Sequence, residues 1–270
     1  MKHIQTLTLM ALCSVALMFA NSVFAQSTKQ GIATVVRIQG EARYSVGDNV
    51  WHPLVAGKTL GAGAVIQTAV DSTVDLVLGA VPVQVSYPTS TQPPAGPSSA
   101  ADPNIRGYVV YNPKVSQNVI RMFGNTVMAV DKLRVSNTGV DAVGDTELDL
   151  RAGKIFGTVT KISAMSQFEI KIPNGVAGIR GTTFMLSADG SCSVLKGSVI
   201  LSVVGSNGNT MTEEIGAGQQ FNSQSGGQPT TLSPFNKGIL GPLANTVPTF
   251  FPENQQFVGN FTKCYVSPVR

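Results

Sequence analysis

Groups able to do acid–base or nucleophilic chemistry are few in this chain, and they are far apart. Its two histidines are His3 and His52. Past the N-terminal leader discussed below, a Ser-His-Asp or Cys-His arrangement must therefore use His52 as its base. No G-x-S-x-G elbow, H-E-x-x-H pair or phosphate-binding P-loop occurs. Cys192 and Cys264 with one histidine are too few for a zinc site. Glu213 and Glu214 are adjacent in an alternating segment and so face opposite sides, which is poor geometry for a paired acid and base. Asp141, Asp145, Glu147 and Asp149 lie closer together and carry the oxygen ligands calcium prefers. Their spacing fits no calcium loop, so they read as a solvated edge. The expectation is a non-enzymatic protein with no cofactor and no metal.

The densest constellation is Ile172-Pro173-Asn174-Gly175-Val176-Ala177-Gly178-Ile179-Arg180-Gly181-Thr182-Thr183-Phe184. Gly175, Gly178 and Gly181 mark places for positive φ or close backbone approach. A dinucleotide loop needs G-x-G-x-x-G leading into a helix, whereas Phe168, Ile170, Ile172 before this stretch and Phe184, Leu186 after it alternate as strands do. The stretch reads as a tight connection between strands. Arg180 has two readings: a brace tied to backbone carbonyls and to a carboxylate such as Glu169, or a docking point for a partner's carboxylate. The brace is the expectation, because a charge among small apolar residues is tolerated more easily with a built-in partner.

These residues must be positioned by an exported, strand-rich chain. Lys2 and His3 precede an apolar run from Leu7 to Ala20, and Val23-Phe24-Ala25 has small residues where signal peptidase reads, so residues 1–25 are expected to be a signal peptide cleaved after Ala25. No later run approaches the ~20 apolar residues of a membrane span. The expected location is periplasmic or secreted, and not membrane-spanning. Charged residues are 13% of the chain, against about 25% in ordinary domains, and the scattered lysines and arginines behind its +4 charge form no nucleic-acid surface. Cys192 and Cys264 remain after cleavage, an even pair in an oxidising compartment, and are expected to form a disulfide.

Short alternating runs recur from Ile32–Ile38 onward, separated by glycine turns, which implies an all-β fold: a β-helix-like roll of many short strands or, alternatively, a β-sandwich. Trp51, the single tryptophan, is expected to cover one end of the core. An apolar residue, one or two spacers and a glycine recur at Ile38-Gly40, Leu150-Gly153, Leu195-Gly197 and Ile215-Gly218, at unequal intervals. Residues 88–106 form a Pro- and Ser-rich insertion read as a flexible surface loop. From residue 222 to 270 the alternation fades, and the aromatics Phe250, Phe251, Phe257, Phe261 and Tyr265 suggest a partly docked extension. Residues 26–221 are thus the expected domain.

Two blocks carry a family resemblance. Trp51-x-Pro53-Leu54-x-x-Gly57-x-x-Leu60-x-x-Gly63-x-x-Ile66-x-Thr68 follows an N-terminal hairpin, and Pro173 with Gly178-Ile179-Arg180-Gly181-Thr182-x-Phe184 follows later, ahead of Gly197-x-Val199 and Gly216-x-Gly218-Gln219. Together they resemble the FecR domain. That resemblance implies a periplasmic all-β module, similar to the signalling part of regulators that relay iron-transport status from an outer-membrane receptor to a sigma factor. The chain departs from those regulators in having a cleavable leader where they have an anti-sigma segment and a transmembrane helix. The expected function is a binding or signalling module of the cell envelope that recognises another envelope protein, an outer-membrane receptor among the candidates. The alternative is a carbohydrate-binding or structural surface protein contacting envelope polysaccharide.

Overall fold

The computed structural model describes residues 28–48, 50–79, 118–137, 142–160, 163–205, 208–225 and 227–247. The expected leader with its cleavage site at Ala25, the 88–106 insertion, and the C-terminal aromatics with Cys264 lie outside the described residues. In chain order the strands are β1 (Thr28–Gln30), β2 (Ile32–Gln39), β3 (Ala42–Ser45), β4 (His52–Pro53), β5 (Thr59–Leu60), β6 (Val65–Thr68), β7 (Thr73–Gly79), β8 (Asn118–Met122) and β9 (Val127–Asn137). There follow β10 (Ala142–Ala152), β11 (Lys154–Thr158), β12 (Gln167–Ile172), β13 (Gly175–Ser187), β14 (Ser191–Val204), β15 (Thr210–Gly216), β16 (Gln219–Asn222) and β17 (Thr230–Thr231), then one helix, α1 (Pro234–Thr246).

The fold is all-β, a single sheet curled into two limbs that face each other across one core. In the first limb the order is β2, β7, β8, β11, the C-terminal half of β13, the N-terminal half of β14, then β16 and β17. In the second it is β4, β3, β6, β9, β10, β12, the N-terminal half of β13, the C-terminal half of β14, then β15. Each chain segment therefore runs along one limb, turns a corner and continues in the other. The recurring glycines of the sequence are these corners: Gly40, Gly153, Gly197 and Gly218 have φ of +79°, +83°, +81° and +74°.

Bending a strand breaks its ladder, and the freed backbone groups need partners. Buried hydroxyls supply them. Thr126 N–H donates to Thr68 Oγ1 (2.9 Å), Lys154 N–H donates to Thr126 Oγ1 (3.1 Å), and Thr182 Oγ1 donates to the Ser198 carbonyl (2.7 Å). Thr68, Thr126 and Thr182 are all buried.

The two limbs differ in what covers them. Their facing sides bury Ile66, Leu76, Ile120, Leu148, Ile170, Phe184 and Leu201 in the main core. Along β12 the second limb's outer side is open to solvent, and the strand alternates strictly between exposed and buried residues. The first limb's outer side is covered by α1: Val36, Val77, Val119, Phe156 and Met185 pack with Leu240 and Val247 in a second apolar cluster.

Helix α1 begins at Ser233, whose hydroxyl accepts from Asn236 N–H (3.2 Å), with Pro234 in the first turn. Within the expected extension, this docked helix is the part the sequence reading missed. Two prolines and two glycines in its 13 residues hide an apolar stripe of Ile239, Leu240, Leu243 and Val247 at helical spacing. Among the described residues no helix is long and apolar enough to cross a membrane.

Candidate functional site

The residues that could do chemistry do not converge. Ser45, Asp48 and His52 do meet, on the loop joining β3 and β4, but in the wrong order for a relay. Asp48 sits in the middle: its Oδ1 accepts from Ser45 Oγ (3.1 Å) and from Val50 N–H (3.0 Å), and its Oδ2 is 3.5 Å from His52 Nε2. A nucleophilic serine would have to donate to the imidazole. The Val50 amide is the main cause of an Asp48 pKa below the ordinary carboxylate value, which marks a loop-closing carboxylate. Glu213 and Glu214 take opposite faces of β15, opposite Leu201 and Ile200.

The acidic cluster lies within the sheet and is paired. Asp145 and Glu147 on β10 meet Lys132 of β9 at 3.6 and 3.3 Å, Glu147 also meets Lys171 of β12, and Lys171 reaches Asp131 at 3.2 Å. Lys171 and then Lys132 draw the Glu147 pKa down, and Glu147 followed by Asp131 draws that of Lys171 up. Asp149 pairs with Arg151 at 2.7 Å. Asp141 lies outside the described residues.

The N-terminal motif block serves the fold. Leu54 and Leu60 are core residues, Gly57 N–H donates to the Val35 carbonyl (2.7 Å), Gly63 N–H donates to that of Val130 (2.8 Å), and Thr68 is a corner hydroxyl. Pro53 is exposed in β4. Trp51 does not cover the core: it is 39% exposed, with the Arg43 guanidinium 4.5 Å above its ring. Arg43 in turn donates to Gln67 Oε1 from Nε and Nη2 (2.9 and 2.8 Å). Trp51→Ala is therefore expected to cost no more than about 1 kcal/mol, the scale of an exposed cation–π contact. Urea unfolding followed by circular dichroism checks this, and a loss of several kcal/mol would restore a core role.

The second motif block divides into a turn and a corner. Pro173-Asn174 is a two-residue hairpin between β12 and β13. A Cβ on Gly175 would stand 2.1 Å from the Ser202 carbonyl oxygen, so glycine there permits the close approach of β14. A Cβ on Gly178 would meet only the Ile200 carbonyl oxygen, at 3.8 Å, an ordinary contact. Ile179 and Phe184 enter the core, and Gly181 with Thr182 forms the corner.

Arg180 is exposed, in register with Ser198 of β14, and among the described residues it makes no ion pair. Glu169 is also exposed and pairs its backbone with Gly178; it is not the brace expected from the sequence. Arg180 instead borders a small cleft where β12 and β13 part, above the ends of β10 and β11.

Cys192 is 1% exposed in the main core and has no disulfide partner among the described residues; Cys264, with which it was expected to pair, lies outside them. Burial pushes the Cys192 pKa up from 9.0 to about 12. Below pH 9 this group leaves stability unchanged; as pH rises from 9 toward 12 the unfolded thiol ionises first, and stability falls. Alkylation mapped to Cys192 is expected only after unfolding; rapid labelling of the native protein at pH 8 would contradict the buried position.

The curled all-β sheet, with chemistry-bearing groups dispersed or tied into structural pairs, defines a roll-like module without a grouped catalytic set among the described residues. Residues 116–200, from β8 through most of β14, match the family model described as FecR protein, and over that stretch the chain is FecR-like. No curated protein matches the chain. A crystal structure of a proposed anti-sigma factor from Parabacteroides distasonis ATCC 8503 is similar over 42% of this chain and 51% of that one, at 17% identity and a TM-score of 0.30. The match spans about half of that protein's length.

Proposed function

We propose that this protein is a non-enzymatic, exported signalling or binding module of the bacterial cell envelope, and that it recognises another envelope protein by taking an extended segment of it as an added strand. An outer-membrane receptor is one partner of this kind. The FecR-like segment supports the class, and the N-terminal leader pattern supports export. The observation that carries the mode is β15: among the described residues it pairs with β14 on one side alone, leaving a seven-residue edge able to offer main-chain hydrogen bonds.

Exposed Trp51 on the opposite edge hairpin supports the second reading, contact with envelope polysaccharide, since one indole face is left for a sugar once Arg43 covers the other. A photo-cross-linker at Thr212 on β15 separates the two. The first reading expects a discrete envelope-protein adduct from Thr212 and none from the same group at Glu169, an exposed position on the interior strand β12. Equal adducts from both positions, or binding to polysaccharide alone in a glycan array, would refute it.

A further inference from the structure

The ladder between β12 and β13 ends at Glu169–Gly178, before the corner at Gly181. Over Ile179 and Arg180 the sheet therefore parts. It parts because the second limb holds one strand more than the first: β12 is inserted between β10 and β13, whereas in the first limb β11 pairs with β13 directly. The resulting cleft has Val159, Ile179 and Phe168 as apolar lining and, among the described residues, Arg180 as its one charged lining residue.

Asn118, Ser163 and Ser166 line the cleft with groups that can both accept and donate. Asn118 Oδ1 accepts from Thr160 N–H (2.9 Å), Ser166 Oγ accepts from Gly144 N–H (3.1 Å), and Ser163 Oγ accepts from Met165 N–H (3.2 Å). Each of those oxygens keeps a second lone pair, and Asn118, Ser163 and Ser166 also retain amide N–H groups or a hydroxyl proton to donate. Arg180, without an ion pair among the described residues, adds five N–H donors and a fixed positive charge. A cleft with groups able to donate, one guanidinium and an apolar wall fits a singly charged, planar acceptor on a short carbon stem.

We infer that this cleft is a carboxylate-binding site, taking either a small carboxylic acid or the side chain of a glutamate or aspartate on a partner. A single guanidinium matches a carboxylate charge for charge and can hold it by two parallel hydrogen bonds. The inference goes beyond strand addition at β15 and does not depend on it, because the cleft lies on the side of β13 away from β14 and β15.

The test is a titration of the ¹⁵N-labelled protein, following the Arg180 Nε resonance and the amides of Ser163, Ser166 and Ile179. The probes are butyrate, N-acetyl-glutamate amide, N-acetyl-glutamine amide and sulfate. Saturable shifts are expected with the first two, and the tighter of them identifies the source as free acid or side chain. Arg180→Gln should weaken binding by about tenfold or more, the value of one charge-assisted contact, while Arg180→Lys retains part of it. The inference is overturned by an absence of saturable shifts, by equal shifts from the glutamine amide, by equal binding of sulfate, or by indifference to Arg180→Gln in a variant whose other resonances are unmoved.

Discussion

Asp75→Ala is expected to destabilise the protein by about 3–5 kcal/mol, the range for removing one partner of a buried ion pair. Asp75 is fully buried on the outer side of β7, between Arg37 of β2 and Arg121 of β8. Arg121 grips it bidentately, Nε to Oδ1 at 2.6 Å and Nη2 to Oδ2 at 2.8 Å, and Arg37 Nε reaches Oδ2 at 2.5 Å. The two guanidinium side chains are only 14% and 18% exposed, so removing the carboxylate leaves two poorly hydrated like charges side by side.

The geometry also predicts a contrast. The triple variant Arg37→Met, Asp75→Leu, Arg121→Met removes all the charges together and should lose far less than Asp75→Ala alone, because attraction and desolvation largely cancel in such triads. Urea denaturation of both variants measures this. A triple variant less stable than the single one would show that the triad is a net source of stability.

The burial of Asp75 marks the limit of the sequence reading. Val74, Leu76 and Leu78 alternate, which placed β7 in the sheet and gave its inner face correctly. The same alternation sends Asp75 and Val77 to the other face, and whether that face meets water depends on α1, more than 150 residues later. A period-two pattern reports one face of a strand and says nothing about a second layer on the other. Trp51 shows the converse. Its size suggested a core position, but the loop between β3 and β4 sits at the edge of the second limb, where Arg43 is its neighbour.

The candidate cleft was half legible. Arg180 stood out among its glycines, and docking to a carboxylate was one of its two readings. The polar groups facing it come from β8, β10 and the segment before β12, and only the insertion of β12 between β10 and β13 brings them together. The corner glycines were legible as a recurring unit, and the unequal intervals between them now have a cause. Each unit is one passage from limb to limb, with no fixed repeat length.

The corners give the second large prediction, because they separate two costs that a glycine substitution usually combines. Gly197→Ala and Gly218→Ala both place a side chain at positive φ, +81° and +74°, a conformation that costs an L-residue about 1–2 kcal/mol. Gly218 has nothing within 4 Å of a new Cβ, so its variant should lose about that much and no more. At Gly197 the Cβ would lie 2.3 Å from the Gly181 carbonyl oxygen and 2.9 Å from Thr182 Cα, both backbone atoms of the facing corner.

That corner cannot simply move aside. Thr182 is tied to the Ser198 carbonyl at 2.7 Å, and β13 shifts register with β14 at this point. Gly197→Ala is therefore expected to add a steric cost of about 1–3 kcal/mol, typical of overpacking, for a total of roughly 2–5 kcal/mol. Equal losses in the two variants, measured by urea unfolding, would show that the corners touch less closely than 2.3 Å implies. Because Arg180 precedes Gly181 directly, a displaced corner should also shift the Arg180 resonance in Gly197→Ala and leave it in place in Gly218→Ala.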